Sequence, residues 1–553
     1  MTFSATNKCG EHGDQFGEVA AKGSSFHCCC SKAHGEYLAT SLRLGAKKNK
    51  CLVASLLMIR YANTGCGYSP SPTQWTMVTY STVRTGNLIG EVMEERKSER
   101  QRFPQPVIKK RIASGRGAME QPNATNDGPA ALSVTFWVAL VFTSIAAGLF
   151  GDLLMWILKV VEELAFGGSH DTYQAAVAAA SNTRRLSALL LAGVIGGVSW
   201  YLIRRLLPNE KTEVDEAVWN GDGELSLRRS FLTSVTSIVV VGLGASIGRE
   251  AAPKLMGGVS GTLLAKWFRL TPAQRRLLVA CGAGAGFAAV YNVPIGGALF
   301  TAEVLCGSLA LPTVLPAMAA AMIATLTSWL TLPNHALYDD VANFTVTPSI
   351  VAGSLLVGLL VGLFSVVFVR LISWVSHNRA KGAHVLWALP LACGVLGVVG
   401  FRYPQLFGNG IGLAHDAFLG LGAPSLLLIL LVLKPLMTAS VLEGGAAGGL
   451  FTPTLAAGAL LGALFATGWS HVWAGAPTGA FALIAAAAMI GASMQAPLAG
   501  MVLVAELTHT GFGLSVPLLL ATVIATWMVR HIDGYSIYTA RLQQKHHDAS
   551  LEG

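Results

Sequence analysis

One carboxylate lies between two strongly apolar stretches, at Glu250 in the string Gly248-Arg249-Glu250-Ala251-Ala252-Pro253. An ionised side chain in such surroundings is costly unless it is bound or hydrated, so an intramembrane acid points to an ion or proton path. A second string, Gly448-Gly449-Leu450-Phe451-Thr452-Pro453, supplies what such a path needs. Glycines let backbone approach an ion, and the first N–H groups of a helix are free donors at its positive end, here those of Leu450 and Phe451. An anion held there is bound by partial charges and hydrogen bonds without being trapped by a full opposite charge. If Glu250 shares those donors, it competes with the anion. Protonation then removes its claim, so acid opens the path or drives exchange. The plainer alternative is a Glu250 neutralised by Arg249 at a helix end.

The strings that follow the two motifs resemble one another. Asn292-Val293-Pro294-Ile295-Gly296-Gly297 runs on to Ala302-Glu303, and Gln495-Ala496-Pro497-Leu498-Ala499-Gly500 runs on to Ala505-Glu506. They agree at Pro, at Gly three residues later and at Ala-Glu beyond. The interval from Pro253 to Pro294 is nearly that from Pro453 to Pro497, which favours a duplicated unit. A glycine-rich stretch alone is explained by close helix packing. Interrupted segments at matching places in two halves point instead to a binding site. Glu506 reads as a helix cap or a buried partner of backbone N–H groups. Glu303 is open between that role and proton handling.

The elements that carry these residues are apolar runs, at 131–150, 186–207, 231–245, 277–304, 311–332, 350–372, 387–401, 426–437, 450–465, 481–507 and 514–529. Several reach the roughly 20 residues of a spanning helix, and others are short or broken by Gly and Pro. In hydrocarbon, broken helices persist only where protein or a polar cavity surrounds them. Composition agrees, since 52% of the 553 residues are hydrophobic and 12% charged, too few charges to cover a soluble protein of this length. The fold class is therefore an all-α polytopic membrane protein.

The net charge of +9 resides wholly in residues 1–118, so it implies no nucleic-acid partner. That stretch also holds Cys9, Cys28, Cys29, Cys30, Cys51 and Cys66, and it shows no sustained helical or strand period. Three adjacent cysteines lack metal-ligand spacing, so His27, Cys28, Cys29, Cys30 and His34 are not read as a metal site, and no cofactor is expected. Residues 1–118 read as a disordered or non-native extension, with translation starting at Met119, a polar leader over 119–130 and a tail over 543–553. Cys281, Cys306 and Cys393, single in apolar segments, read as packed core.

The ordered motifs resemble the CLC family of chloride channels and transporters. Gly248 to Pro253 is similar to its GREGP-type motif, Gly449 to Pro453 to its GxFxP motif, and Gly534-Tyr535-Ser536-Ile537-Tyr538-Thr539-Ala540 to the stretch bearing its anion-coordinating tyrosine. The likeness spans residues 131–542. It implies a homodimer in a bacterial-type inner membrane, each subunit carrying a pore between two inverted halves, residues 131–332 and 350–542. Glu250 is then the gate, and Gly248, Arg249, Gly449, Leu450, Phe451 and Tyr538 surround the anion.

Three departures from that pattern bear on function. Ala251 and Ala252 stand where glycine and proline normally follow the glutamate. The stretch Pro208-Asn209-Glu210-Lys211-Thr212 replaces GSGIP and its serine ligand, leaving Asn209 as a weak substitute. Val304 occupies the position of the internal proton-transfer glutamate, so Glu303 or water substitutes, or the protein is an uncoupled channel. Tyr538 favours chloride over fluoride. No CBS domains are expected after the membrane region.

The expected partners are chloride, protons and the lipid bilayer. A different inverted-repeat carrier, for nitrate, fluoride or an organic anion, is the alternative; for an organic anion it needs a larger cavity and a cation such as Lys434 near the substrate. An enzyme is not expected, because no catalytic constellation is evident and His415 and His509 read as structural. Arg204, Arg205, Arg228, Arg229, Arg275 and Arg276 suggest cytoplasmic loops.

Overall fold

The structure is a computed structural model. It describes three strands between residues 16 and 43 and, apart from residues 169, 171, 209–212, 220, 474, 476 and 511, residues 132–541. Two compact units divide the chain, Met1–Lys109 and Lys110–Gly553.

The first unit contains β1 (Phe16–Ala21), β2 (Ser24–Ala33) and β3 (Glu36–Arg43), paired antiparallel in that order. This sheet departs from the absence of strand character read in the sequence. Its strands lack a sustained apolar alternation, so backbone pairing is their only signature. Met119, the 119–130 leader, Asn209, His34 and the 543–553 tail lie outside the described residues, as do the cysteine side chains of the first unit.

The second unit is helical. Its first half runs through α1 (Val134–Phe166), α2 (Tyr173–Ala179), α3 (Asn182–Leu206), α4 (Val214–Trp219), α5 (Leu227–Gly242), α6 (Ala251–Trp267), α7 (Pro272–Tyr291), α8 (Pro294–Phe300) and α9 (Leu311–Ser328). The second comprises α10 (Pro348–His377), α11 (Val385–Val399), α12 (Ile411–Phe418), α13 (Pro424–Glu443), α14 (Phe451–Val472), α15 (Thr478–Met494), α16 (Pro497–Thr508) and α17 (Ser515–Ile532). Eight helices among the described residues are long and apolar enough to cross a membrane. At 33 residues, α1 extends about 50 Å, more than the hydrocarbon thickness, which leaves length for tilt or for projection beyond the hydrocarbon. Leu149, Trp156, Leu363, Val367 and Trp527 are half or more exposed, an apolar exterior suited to lipid.

The runs 277–304 and 481–507 are not continuous helices. Each breaks before a proline, at Asn292 and Gln495, which adopt left-handed backbone with φ of 54° and 59°. The next helix of each half then begins at Pro294 or Pro497, where proline's fixed φ and missing N–H suit the first helical position. The repeat read in the sequence thus has a structural counterpart. Small residues bring its helices together: a Cβ on Gly257 of α6 would lie 2.0 Å from the Gly282 carbonyl oxygen of α7, and one on Gly462 of α14 would lie 2.1 Å from that of Phe481 in α15. Cys281 and Cys393 are buried and Cys306 partly so, all unpaired.

Candidate functional site

The two glycine motifs meet. Gly248 N–H donates to the Gly449 carbonyl at 2.8 Å and Gly449 N–H to the Gly248 carbonyl at 2.9 Å, an antiparallel bridge between the halves. Just beyond it the chain enters α6 on one side and α14 on the other, so two helix N-termini stand beside the bridge. A Cβ on Gly248 or Gly449 would fall 2.3 or 2.1 Å from Glu250 Oε1. Only glycine at these positions leaves room for the carboxylate.

Glu250 fills that room, 5% exposed. Its Oε1 accepts from Phe451 N–H at 2.5 Å; its Oε2 accepts from Thr452 Oγ1 at 3.2 Å and from Tyr291 OH at 3.3 Å. Tyr291 OH and Thr452 Oγ1 are themselves 2.8 Å apart. The carboxylate therefore takes a free donor in the first turn of α14, where the helix dipole favours negative charge. Arg249 does not neutralise it. Its guanidinium lies over the Tyr291 ring at 5.1 Å, and among the described residues Glu250 has no ion-pair partner. Phe287 packs edge-on against Phe451 with centroids 5.0 Å apart, fixing the ring next to the donor.

A cavity of about 130 Å³ adjoins the carboxylate, lined by Glu250, Gly449, Leu450, Phe451, Tyr538 and two residues the sequence reading passed over, Asp215 and Lys254. About 10–15 Å³ suffices for one water by this measure, so it holds several small bodies. Arg204, Arg229, Arg379 and Arg541 also line it, and with Lys254 these five cations outnumber the three acids Glu213, Asp215 and Glu250. A second cavity of about 110 Å³ shares Asp215, Arg379, Tyr538 and Arg541 with the first. Tyr538 is 8% exposed, with its ring edge-on to Phe300 at 6.4 Å.

Other sequence candidates lie elsewhere. Glu303 accepts from Leu498 N–H at 3.3 Å and Ala499 N–H at 2.7 Å, capping α16. Glu506 accepts from Ile295 N–H at 3.0 Å and Gly296 N–H at 2.6 Å, capping α8. Each half thus caps the other's broken helix, and Glu303, read as a proton-handling candidate, lines neither cavity. Val304 is buried in a short π-helical turn, Thr301–Leu305. Lys434 is wholly buried and lines neither cavity. Its ammonium donates to Ser246 Oγ at 2.8 Å and to the Leu406 and Gly408 carbonyls at 3.2 and 2.7 Å, which makes it a strut behind the glycine turn.

Tyr291, Thr452, Lys254 and Asp215 were not singled out in the sequence. Thr452 lay within the second glycine string, and Lys254 carried a local signal of its own, a basic residue one helical turn after Glu250 in an apolar setting.

The sequence profile described as "voltage gated chloride channel" matches residues 195–530. A ClcB-like chloride channel protein of Ralstonia nicotianae is 32% identical over 384 residues, covering 66% of this chain and 87% of that protein. The voltage-gated ClC-type chloride channel ClcB of Shigella flexneri is 32% identical over 384 residues, covering 66% and 88%. Among solved structures, a slow cyanobacterial Cl⁻/H⁺ antiporter aligns with a TM-score of 0.67 at 22% identity, covering 75% of this chain and 99% of that one. A CLC-type fluoride/proton antiporter aligns with a TM-score of 0.61 at 22% identity, covering 74% and 97%. The helical fold is the one these transporters share.

Proposed function

The chain belongs to the voltage-gated chloride channel family, and from that premise we propose that it carries chloride across a membrane in exchange for protons, gated by Glu250. The family is one of transporters and channels rather than an enzyme class. The observation that carries the gating role is the 2.5 Å hydrogen bond from Phe451 N–H to Glu250 Oε1. An ionised Glu250 occupies the donor that a permeating anion needs. A proton on that carboxylate cancels its charge and weakens its hold, so chloride takes the Phe451 N–H with Tyr538 close by. When chloride leaves, Glu250 returns its proton and reclaims the donor. Each anion moved is thereby tied to a protonation event at one residue.

The small basic cavity supports an inorganic anion. Pockets for organic ligands are usually about 300–1,000 Å³, several times larger than the space here, and Lys434 is committed to neutral oxygens away from it. A second reading, an uncoupled channel, is favoured by Val304, which cannot relay a proton. The same proposal takes the protein as a homodimer in a bacterial inner membrane.

The test is anion efflux from liposomes containing the purified chain, with chloride, nitrate, fluoride or a small carboxylate as the trapped ion. Chloride efflux that carries protons the opposite way supports the proposal, and chloride efflux without proton movement favours the channel. Flux of the carboxylate but of no inorganic anion overturns it.

A further inference from the structure

Lys254 shares the cavity with Glu250 but has no part in the gating just described. It lies four residues after Glu250 on the first turns of α6, a spacing that puts both side chains on one helix face. Its ammonium is 3.1 and 3.2 Å from the two oxygens of Asp215, on α4, and 4.8 Å from the centre of the Tyr538 ring. The two side chains of the pair are 13% and 11% exposed, and what remains exposed borders the cavity.

Three of the four arginines of this lining are engaged differently. Arg204 and Arg379 each donate to the Gly445 carbonyl at 2.7 Å, and Arg229 donates to the Leu207 and Pro208 carbonyls at 2.8 and 3.2 Å. Those guanidiniums brace backbone. Lys254 is bound instead to a side-chain carboxylate and a ring face, partners that an anion can replace. An ammonium has three donors, and one carboxylate engages at most two at once, so a third is left for a ligand.

We propose that Lys254 is itself an anion ligand in the path, restrained by Asp215, and that an entering halide competes with Asp215 for its ammonium. This rests on the reading of the cavity as a chloride path. A bare lysine there would hold chloride too firmly for transport, and the paired carboxylate moderates that hold. The lysine supplies attraction; the aspartate sets how readily chloride leaves again.

The test is chloride binding to the purified full chain by titration calorimetry, with efflux from liposomes in parallel, for wild type, Lys254→Met, Lys254→Arg and Asp215→Asn. A ligand lysine predicts opposite signs: Lys254→Met weakens chloride binding about tenfold or more, Asp215→Asn tightens it severalfold and slows turnover, and Lys254→Arg falls between wild type and Met. A merely structural ion pair predicts that Lys254→Met and Asp215→Asn impair binding alike, and that result overturns the proposal, as does unchanged binding in Lys254→Met. If Lys254→Met fails to fold, Asp215→Asn decides: tighter binding supports the role and equal or weaker binding overturns it. A wild type that neither binds nor carries chloride removes the path reading itself, whereas a wild type that does, with no opposition between the variants, removes only the role of Lys254.

Discussion

At the scale of single residues, the site depends on what is missing from two positions as much as on what is present at a third. Gly248 and Gly449 have no side chains, and the Glu250 carboxylate occupies the space their Cβ atoms would need. A methyl group on Gly449 would meet the far end of a flexible side chain, which can swing away. Gly449→Ala is therefore expected to fold, with a melting temperature within a few degrees of wild type, while displacing Glu250 from the Phe451 N–H. Chloride efflux from liposomes should become less dependent on acid; an unchanged pH profile would show that the carboxylate does not rest on that donor. Glu250, Phe451 and Tyr538 were legible in the sequence because each sits in a short string whose glycines or neighbours give it away. Tyr291, Thr452 and Asp215 were not. Tyr291 reaches Glu250 across 41 residues of chain with no local mark of that approach, and Thr452, although inside the Gly448–Pro453 string, is brought to the carboxylate across 202 residues only by the fold.

At the scale of elements, the duplicated strings were readable but their division of labour was not. Pro294 and Pro497 marked the interruptions, yet the runs around them looked continuous because the left-handed Asn292 and Gln495 are polar residues easily lost among apolar ones. Helix α6 escaped notice as an apolar run because Lys254, Lys266 and the glycines between them dilute its hydropathy. The reciprocal caps explain why both halves end their second string in Ala-Glu. Each glutamate accepts two first-turn N–H groups of the other half's helix, groups that have no intrahelical partner. Hydrogen bonds to a charged group contribute about 1.5–3 kcal/mol each. Glu506→Ala and Glu303→Ala should each lower the thermal midpoint of the detergent-purified protein by several degrees and leave proton coupling in place. Loss of coupling in Glu303→Ala at unchanged stability would instead make Glu303 a proton carrier.

At the scale of the whole molecule, composition alone indicated a helical membrane protein, because too few charges exist to face water everywhere. The ordered motifs then narrowed the fold to one family, and the sequence match and the shared helical fold agree with that reading. The basic character of the cavity was hidden, since Arg204, Arg229, Arg379 and Arg541 come from widely separated segments and converge only on folding. The +9 charge, by contrast, was conspicuous in the sequence but belongs to residues 1–118. The central claim is that Glu250 holds the anion's own donor and releases it by taking a proton. Simultaneous recording of chloride and proton fluxes in liposomes, for wild type and Glu250→Gln, tests it most directly. Opposed chloride and proton movement in wild type, with chloride flux retained and proton movement abolished in Glu250→Gln, is the predicted result. A Glu250→Gln protein that still moves protons against chloride at the wild-type rate would contradict it.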